Sequence, residues 1–103
     1  MKSVRIGYRT YKVKMVKRVD KEDSYGSCAT HSGVIKIRAG QSPDEKANTI
    51  IHEILHGIWH DKVLGMSDNT EEKVVTALSN GLIALMRNNP KFMGQIQRMI
   101  DEA

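Results

Sequence analysis

The sequence predicts an α+β fold, a small N-terminal β-sheet, antiparallel or mixed, packed on three α-helices. Three observations carry this expectation. Residues 1–38 alternate apolar and polar side chains with the period of two that a half-exposed strand imposes. From Ser42 onward apolar residues recur at helical spacing instead. Ser42-Pro43 and Asn89-Pro90 supply the cap-plus-proline pairs that open helices. At 103 residues the chain is expected to form one domain, residues 1–103, with a single modest core. No repeat, low-complexity tract or flexible linker divides it.

In chain order, Tyr11-Lys12-Val13-Lys14-Met15-Val16 reads as a strand. Ser24 to His31 reads as a second, shorter one, and Val34-Ile35-Lys36-Ile37-Arg38 follows the break at Ser32-Gly33. Ser42-Pro43-Asp44-Glu45 is a capping box with proline at the first helical position, so the first helix starts near Ser42. Ser67-Asp68-Asn69-Thr70 opens the second helix. The third begins at Asn89-Pro90 and runs to the end through Phe92, Met93, Ile96, Met99 and Ile100.

The first helix carries His52-Glu53-Ile54-Leu55-His56. Residues four apart share a helix face, so His52 and His56 each offer a ring nitrogen to one Zn²⁺. Glu53 is turned about 100° away, where a carboxylate reaches a metal-bound water as general base without taking a coordination position. Ala47, Ile50, Ile51, Leu55, Ile58 and Trp59 fill most of the remaining circumference and are expected to be buried, leaving the histidines on the one polar strip. The bland reading of that strip is the wet side of an amphipathic helix.

Catalytic zinc usually takes three protein ligands and keeps one position open. Glu71 and Glu72, at the start of the second helix, supply the third. Glu71 is favoured, since it lies in line with the apolar stripe of Val75, Leu78, Leu82 and Leu85, whereas Glu72 lies on its flank. First-turn acids are also favoured by the helix dipole, which accounts for one of the pair without any metal. His60 continues the series 52, 56, 60, but three successive turns span about 12 Å, too far to meet one ion. It reads as a helix-end residue, at most a contact to the transition state.

Composition narrows the alternatives. A single cysteine, Cys28, excludes an internal disulfide and a Cys-rich zinc module, so histidine and glutamate must hold the metal. The thiol itself reads as a small semi-buried strand residue. No apolar run reaches membrane length, and Met1-Lys2-Ser3-Val4-Arg5 lacks a signal-peptide core, so a cytoplasmic location and no membrane partner are expected. Charge is uneven. Residues 1–38 hold ten Lys or Arg against three Asp or Glu, net +7, and residues 39–103 hold six against nine, net −3, giving the overall +4. A basic sheet attracts nucleic acid or acidic protein, but alternating lysines equally mark a solvated sheet face, and closely spaced aromatics for stacking on bases are absent. Nucleic acid is not the expected partner.

In its order of elements the chain resembles the minimal zincin metallopeptidases of phages and prophages, related in pattern to the ImmA/IrrE group, whose characterised members cut repressor proteins. The resemblance rests on Gly33-Val34-Ile35-Lys36-Ile37, Ser42-Pro43, Thr49-Ile50-Ile51-His52-Glu53-Ile54-Leu55-His56, Glu71 to Leu82 and Asn89-Pro90. It implies a zincin-like fold, zinc held by His52, His56 and Glu71 (or Glu72), and Glu53 as catalytic base. It also implies that the strand Val34–Arg38 lines the cleft and pairs with an extended peptide or protein substrate, a repressor-like regulator among the possibilities. The interval before the third ligand is shorter here than in that group, so substrate identity does not carry over.

The expected reaction is metal-assisted peptide hydrolysis, with Tyr8, Tyr25, His31 and His60 as candidates for stabilising the oxyanion. Two rival functions stand beside it. One is a regulatory or binding module of a phage or prophage that keeps the metal and cuts nothing. The other is a nucleic-acid-binding protein with a structural zinc, disfavoured because structural sites are closed by four protein ligands.

Overall fold

The computed structural model describes residues 2–19, 24–63 and 69–102. Four strands, β1 (Ser3–Ile6), β2 (Arg9–Val16), β3 (Gly26–Ala29) and β4 (Val34–Arg38), precede three helices, α1 (Pro43–Val63), α2 (Asn69–Asn88) and α3 (Pro90–Glu102). The α+β layout is the one the two periodicities predict.

The sheet is mixed, in the order β1-β2-β4-β3. β1 and β2 form a hairpin about Gly7, whose φ of 61° is the left-handed value that two-residue hairpin turns require. β2 runs parallel to β4, and β3 returns antiparallel along the far side of β4. Central β4 is therefore paired on both edges, while β1 and β3 are the edge strands. Arg9 fastens the β3–β4 turn, donating to the carbonyls of Thr30 at 2.6 Å and His31 at 2.8 Å.

Register sorts the side chains by face. Val4 pairs with Tyr11, Val13 with Ile35 and Cys28 with Ile35, and these point inward. Ile6, Tyr11, Ile35 and Ile37 form the buried core, with Ile50 and Ile54 of α1 packed on it. Ile35 and Ile37 are fully buried, worth roughly 1.5–3 kcal/mol each. On the opposite face Lys14 lies beside Lys36 and Val16 beside Arg38, which is why the lysines of β2 alternate with its core residues.

Among the described elements only α1 lies on the sheet, against β1, β3 and β4, and α2 packs on α1. The capping box forms as the sequence predicts. Ser42 Oγ donates to Glu45 Oε1 at 2.7 Å and accepts from the Glu45 backbone amide at 3.3 Å, while the Ser42 amide donates to Glu45 Oε1. The predicted opening of α2 lies partly outside the described residues, at Ser67 and Asp68. α1 and α2 run antiparallel, tied by Arg87 to Asp44 at 2.7 Å and by Asn48 to Asn80 at 2.8 Å.

Two burial expectations are corrected. α1 does not bury most of its circumference: four short strands cover only its Ile50/Ile54 side, leaving Ala47 and Ile58 exposed. On α2 the line against α1 is Glu71, Val75 and Ser79, all buried, while Leu78 and Leu85 face outward.

Candidate metal centre

His52 and His56 stand one turn apart on α1 with ring centroids 4.9 Å apart and planes at 68°. Their Nε2 atoms face each other at 3.2 Å. Because α2 runs antiparallel, its first turn returns to the middle of α1 and delivers two carboxylates. Glu72 Oε1 lies 3.0 Å from His52 Nε2, and its Oε2 lies 2.9 Å from His56 Nε2. Glu71 Oε2 lies 2.5 Å from His56 Nδ1.

The two glutamates thus take opposite sides of one imidazole. Consecutive helical residues diverge by about 100°, so when Glu71 follows the buried stripe inward, Glu72 faces along the cleft beside both Nε2 atoms. This differs from the expectation that favoured Glu71 as third ligand. Being in line with the buried stripe carries Glu71 past the ring edge to Nδ1, and the flank position is the one that meets both histidines.

The donor set suits a cation. A carboxylate hydrogen-bonded to Nδ1 fixes the proton on that nitrogen and leaves the Nε2 lone pair of His56 turned to the site. Lone pairs of His52, His56 and Glu72 then converge. Their spacings of 2.9 to 3.2 Å approach the roughly 3.4 Å edge of a tetrahedron with bonds of about 2.1 Å. His52, His56 and Glu72 can hold one metal ion.

Glu53 is buried beside them. The start of β3 makes room for it: a Cβ added to Gly26 would lie 3.1 Å from Glu53 Oε2, 2.7 Å from Thr49 Cγ2 and 3.1 Å from the Lys36 carbonyl oxygen. Burial pushes the Glu53 carboxyl up to about 7, with Glu72 adding to the rise and His56 opposing it. Burial also holds the His52 imidazole below its ordinary value, against the pull of Glu72. Behind them Cys28, half-buried, has its thiol pushed up to about 12 by burial first and by Glu53 and Glu71 second.

The family model of the IrrE N-terminal-like domain, Peptidase_M78, matches residues 9–87. The chain belongs to this family. No curated protein and no solved structure matches it.

In this IrrE N-terminal-like domain the site opens into a cleft of about 430 Å³. One wall is α1 and α2, with Asn48, Thr49, His52, Glu53, Glu72, Thr76, Ser79 and Asn80; the other is Ser24, Tyr25 and Gly26 at the head of β3. Gln41 joins the walls. Its amide donates to the carbonyls of Arg38 at 2.8 Å and Tyr25 at 3.3 Å, and its oxygen accepts from Thr49 Oγ1 at 2.8 Å. Most of the lining side chains end in polar groups.

The expectation that Val34–Arg38 pairs with a substrate is corrected, because β4 has both edges occupied by β2 and β3. Among the described residues, the strand at the cleft with an unpaired edge is β3. Of the four oxyanion candidates only Tyr25 lines the cleft, with the Arg38 guanidinium 4.2 Å from its ring centroid. Tyr8 is exposed in the first hairpin, His31 is in the β3–β4 turn and His60 is exposed near the end of α1. Sequence reading passed over Gly26, Gln41 and the Asn48/Asn80 pair. For Gly26 a signal existed, since a glycine inside a strand marks close approach of another group. No helix among the described residues is long and apolar enough to cross a membrane.

Proposed function

We propose that this IrrE N-terminal-like domain is a zinc-dependent metallopeptidase in which His52, His56 and Glu72 hold the metal and Glu53 is the general base. The observation that carries the reading is the meeting of Glu72 with both Nε2 atoms beside a buried glutamate, in a chain of a peptidase family. Two imidazoles and one carboxylate are donors suited to Zn²⁺. When bound, zinc supplies acidification of the attacking water and polarisation of the scissile carbonyl.

The remaining work falls to the chain. Glu53, buried beside the two histidines and turned off their shared face, is placed to take a proton from the attacking water and return it to the departing amine. Glu71 holds Nδ1 of His56, fixing tautomer and ring orientation. Tyr25 stands at the cleft wall as the candidate donor to the oxyanion. The edge of β3 that is unpaired among the described residues offers main-chain groups to an extended peptide, as sheet edges do in β-strand addition. With a mostly polar lining, main-chain pairing would select the substrate: a peptide or an extended segment of a protein, for which a repressor-like regulator is the class the resemblance suggests.

The test pairs metal analysis with cleavage. Wild type should hold about one zinc per chain and cut an unstructured protein or peptide library, with new termini read by mass spectrometry. Glu53→Gln should keep the zinc and lose cleavage, while His56→Ala and Glu72→Ala should lose both. Zinc retained with no cleavage by wild type would favour a catalytically silent binding module, and zinc retained in His56→Ala would sink the site assignment.

A further inference from the structure

Gln41 lies in the short connection between β4 and α1, and its side chain links the two walls of the cleft. Its Nε2 faces two carbonyl oxygens, that of Arg38 at 2.8 Å and that of Tyr25 at 3.3 Å, while its Oε1 faces the Thr49 hydroxyl at 2.8 Å. Carbonyls only accept, so the amide has one workable orientation, with its donors on the sheet and its acceptor on the helix. The Tyr25 carbonyl also accepts from the Arg38 amide at 2.8 Å. Gln41 therefore braces the pairing of β3 with β4 at the end that lines the cleft.

On the helix side the link ends at a residue that itself abuts β3. A Cβ at Gly26 would lie 2.7 Å from Thr49 Cγ2 and 3.1 Å from Oε2 of Glu53, one turn further along α1. The distance between the head of β3 and α1 thus governs the room around Glu53. The Thr49 hydroxyl has one proton to divide between Gln41 Oε1 and the Glu45 carbonyl at 3.0 Å, so the two bonds from Nε2 are the firmer half of the link.

We propose that Gln41 is a positioning residue, a strap that holds the head of β3 to α1 and so fixes the width of the cleft and the place of Tyr25 on its wall. The strap holds in the metal-free domain; its effect on a bound peptide rests on the metallopeptidase reading above.

Gln41→Glu tests the strap at nearly constant shape. At pH 8 its carboxylate turns an oxygen toward the two carbonyls and loses both donations. Hydrogen exchange needs neither metal nor turnover: the Arg38 amide should exchange about 10-fold faster in this variant, while amides of β2 and α2 keep their wild-type rates and show the fold intact. With zinc loaded, a peptide hydroxamate, which grips the metal and extends along the cleft, should bind about 10-fold more weakly than to wild type. Acetohydroxamate, which reaches the metal alone, should bind equally well, whereas lost folding or lost metal would weaken both. Thr49→Val cuts the other leg and keeps the methyl at Gly26. It should act in the same direction, and the double variant should be no worse than Gln41→Glu, since both changes break one link. Unchanged exchange at Arg38 overturns the strap, whether or not the domain binds metal. Faster exchange with unchanged peptide-hydroxamate affinity overturns its role in the cleft, and so does weaker peptide binding without faster exchange, because Gln41 would then touch the peptide itself. A wild type that binds neither hydroxamate counts against the metal site instead, and the exchange rate then decides the strap alone.

Discussion

His56 and Glu71 are joined through Nδ1 at 2.5 Å, on the side of the ring away from the Glu72 carboxylate, which meets Nε2 at 2.9 Å. Neighbours in sequence, the two glutamates are separated in role by one imidazole. On the proposed assignment Glu71→Gln keeps a hydrogen-bond acceptor and loses the charge, and metal affinity should fall about 10- to 100-fold, as for other carboxylates behind a ligating histidine. Glu72→Gln should weaken binding far more. Competition against a chromophoric chelator measures both, and the reverse order of losses would exchange the two roles.

Glu53 gives the metal-free protein a pH dependence. Its carboxyl titrates at about 7 when folded against an ordinary 4.5, burial being the main cause. The folded state therefore binds this proton more tightly than the unfolded chain. Its contribution is fully present below about 4.5 and is lost as pH rises through 7. Glu53→Gln, neutral throughout, escapes that loss. In chelator-stripped protein its stability relative to wild type should rise between these limits, by up to about 3 kcal/mol. His52, depressed by burial, has the opposite slope, contributing stability that is lost as pH falls, but it is present in both proteins and largely cancels in the difference. Urea titrations across the window would show the trend; a flat difference would mean that Glu53 is not buried as a carboxylate.

Those two residues also mark how far the chain was legible. The starts of α1 and α3, three of the four described strands and the histidine pair are local, written in capping residues and periods of two and four, and they are legible in the sequence; β1 is not singled out by it. What is not local is not legible there. The choice between Glu71 and Glu72 depends on how α2 rolls on α1, which is set by where Val75 and Ser79 find space, and the stripe read from Leu78 and Leu85 was tilted toward solvent. The edge strand was misplaced for the same reason: that β3 lies outside β4 follows from a parallel β2–β4 pairing between residues far apart in sequence, for which alternation gives no sign.

Cys28 should be inert. Burial holds its thiol up at about 12, so at pH 8 its thiolate is scarcer than that of an exposed cysteine by roughly 10³. Reaction of the folded protein with a disulfide reagent should be slowed, by less than that factor because the more basic thiolate is the better nucleophile, and unfolding in guanidinium should restore the ordinary rate. Fast reaction of the native protein would show that the inner face of β3 opens to solvent.

Gly26→Ala tests whether the cleft places Glu53 through the backbone of β3. The added methyl would sit 2.7 Å from Thr49 Cγ2 and 3.1 Å from both Glu53 Oε2 and the Lys36 carbonyl. Lys36 lies in the doubly paired strand β4 and its backbone cannot retreat cheaply, so the carboxylate and Thr49 must give way. His52, His56 and Glu72 lie outside this contact, so metal content should be unchanged. A base displaced by about 1 Å costs on the order of 10²-fold in rate. The loss should therefore appear in kcat with KM little altered, on any peptide the wild type cuts. Unchanged turnover would mean that Gly26 does not position Glu53. Loss of metal together with turnover would mean that the strain reached the backbone, and the variant would then report on folding rather than on the base.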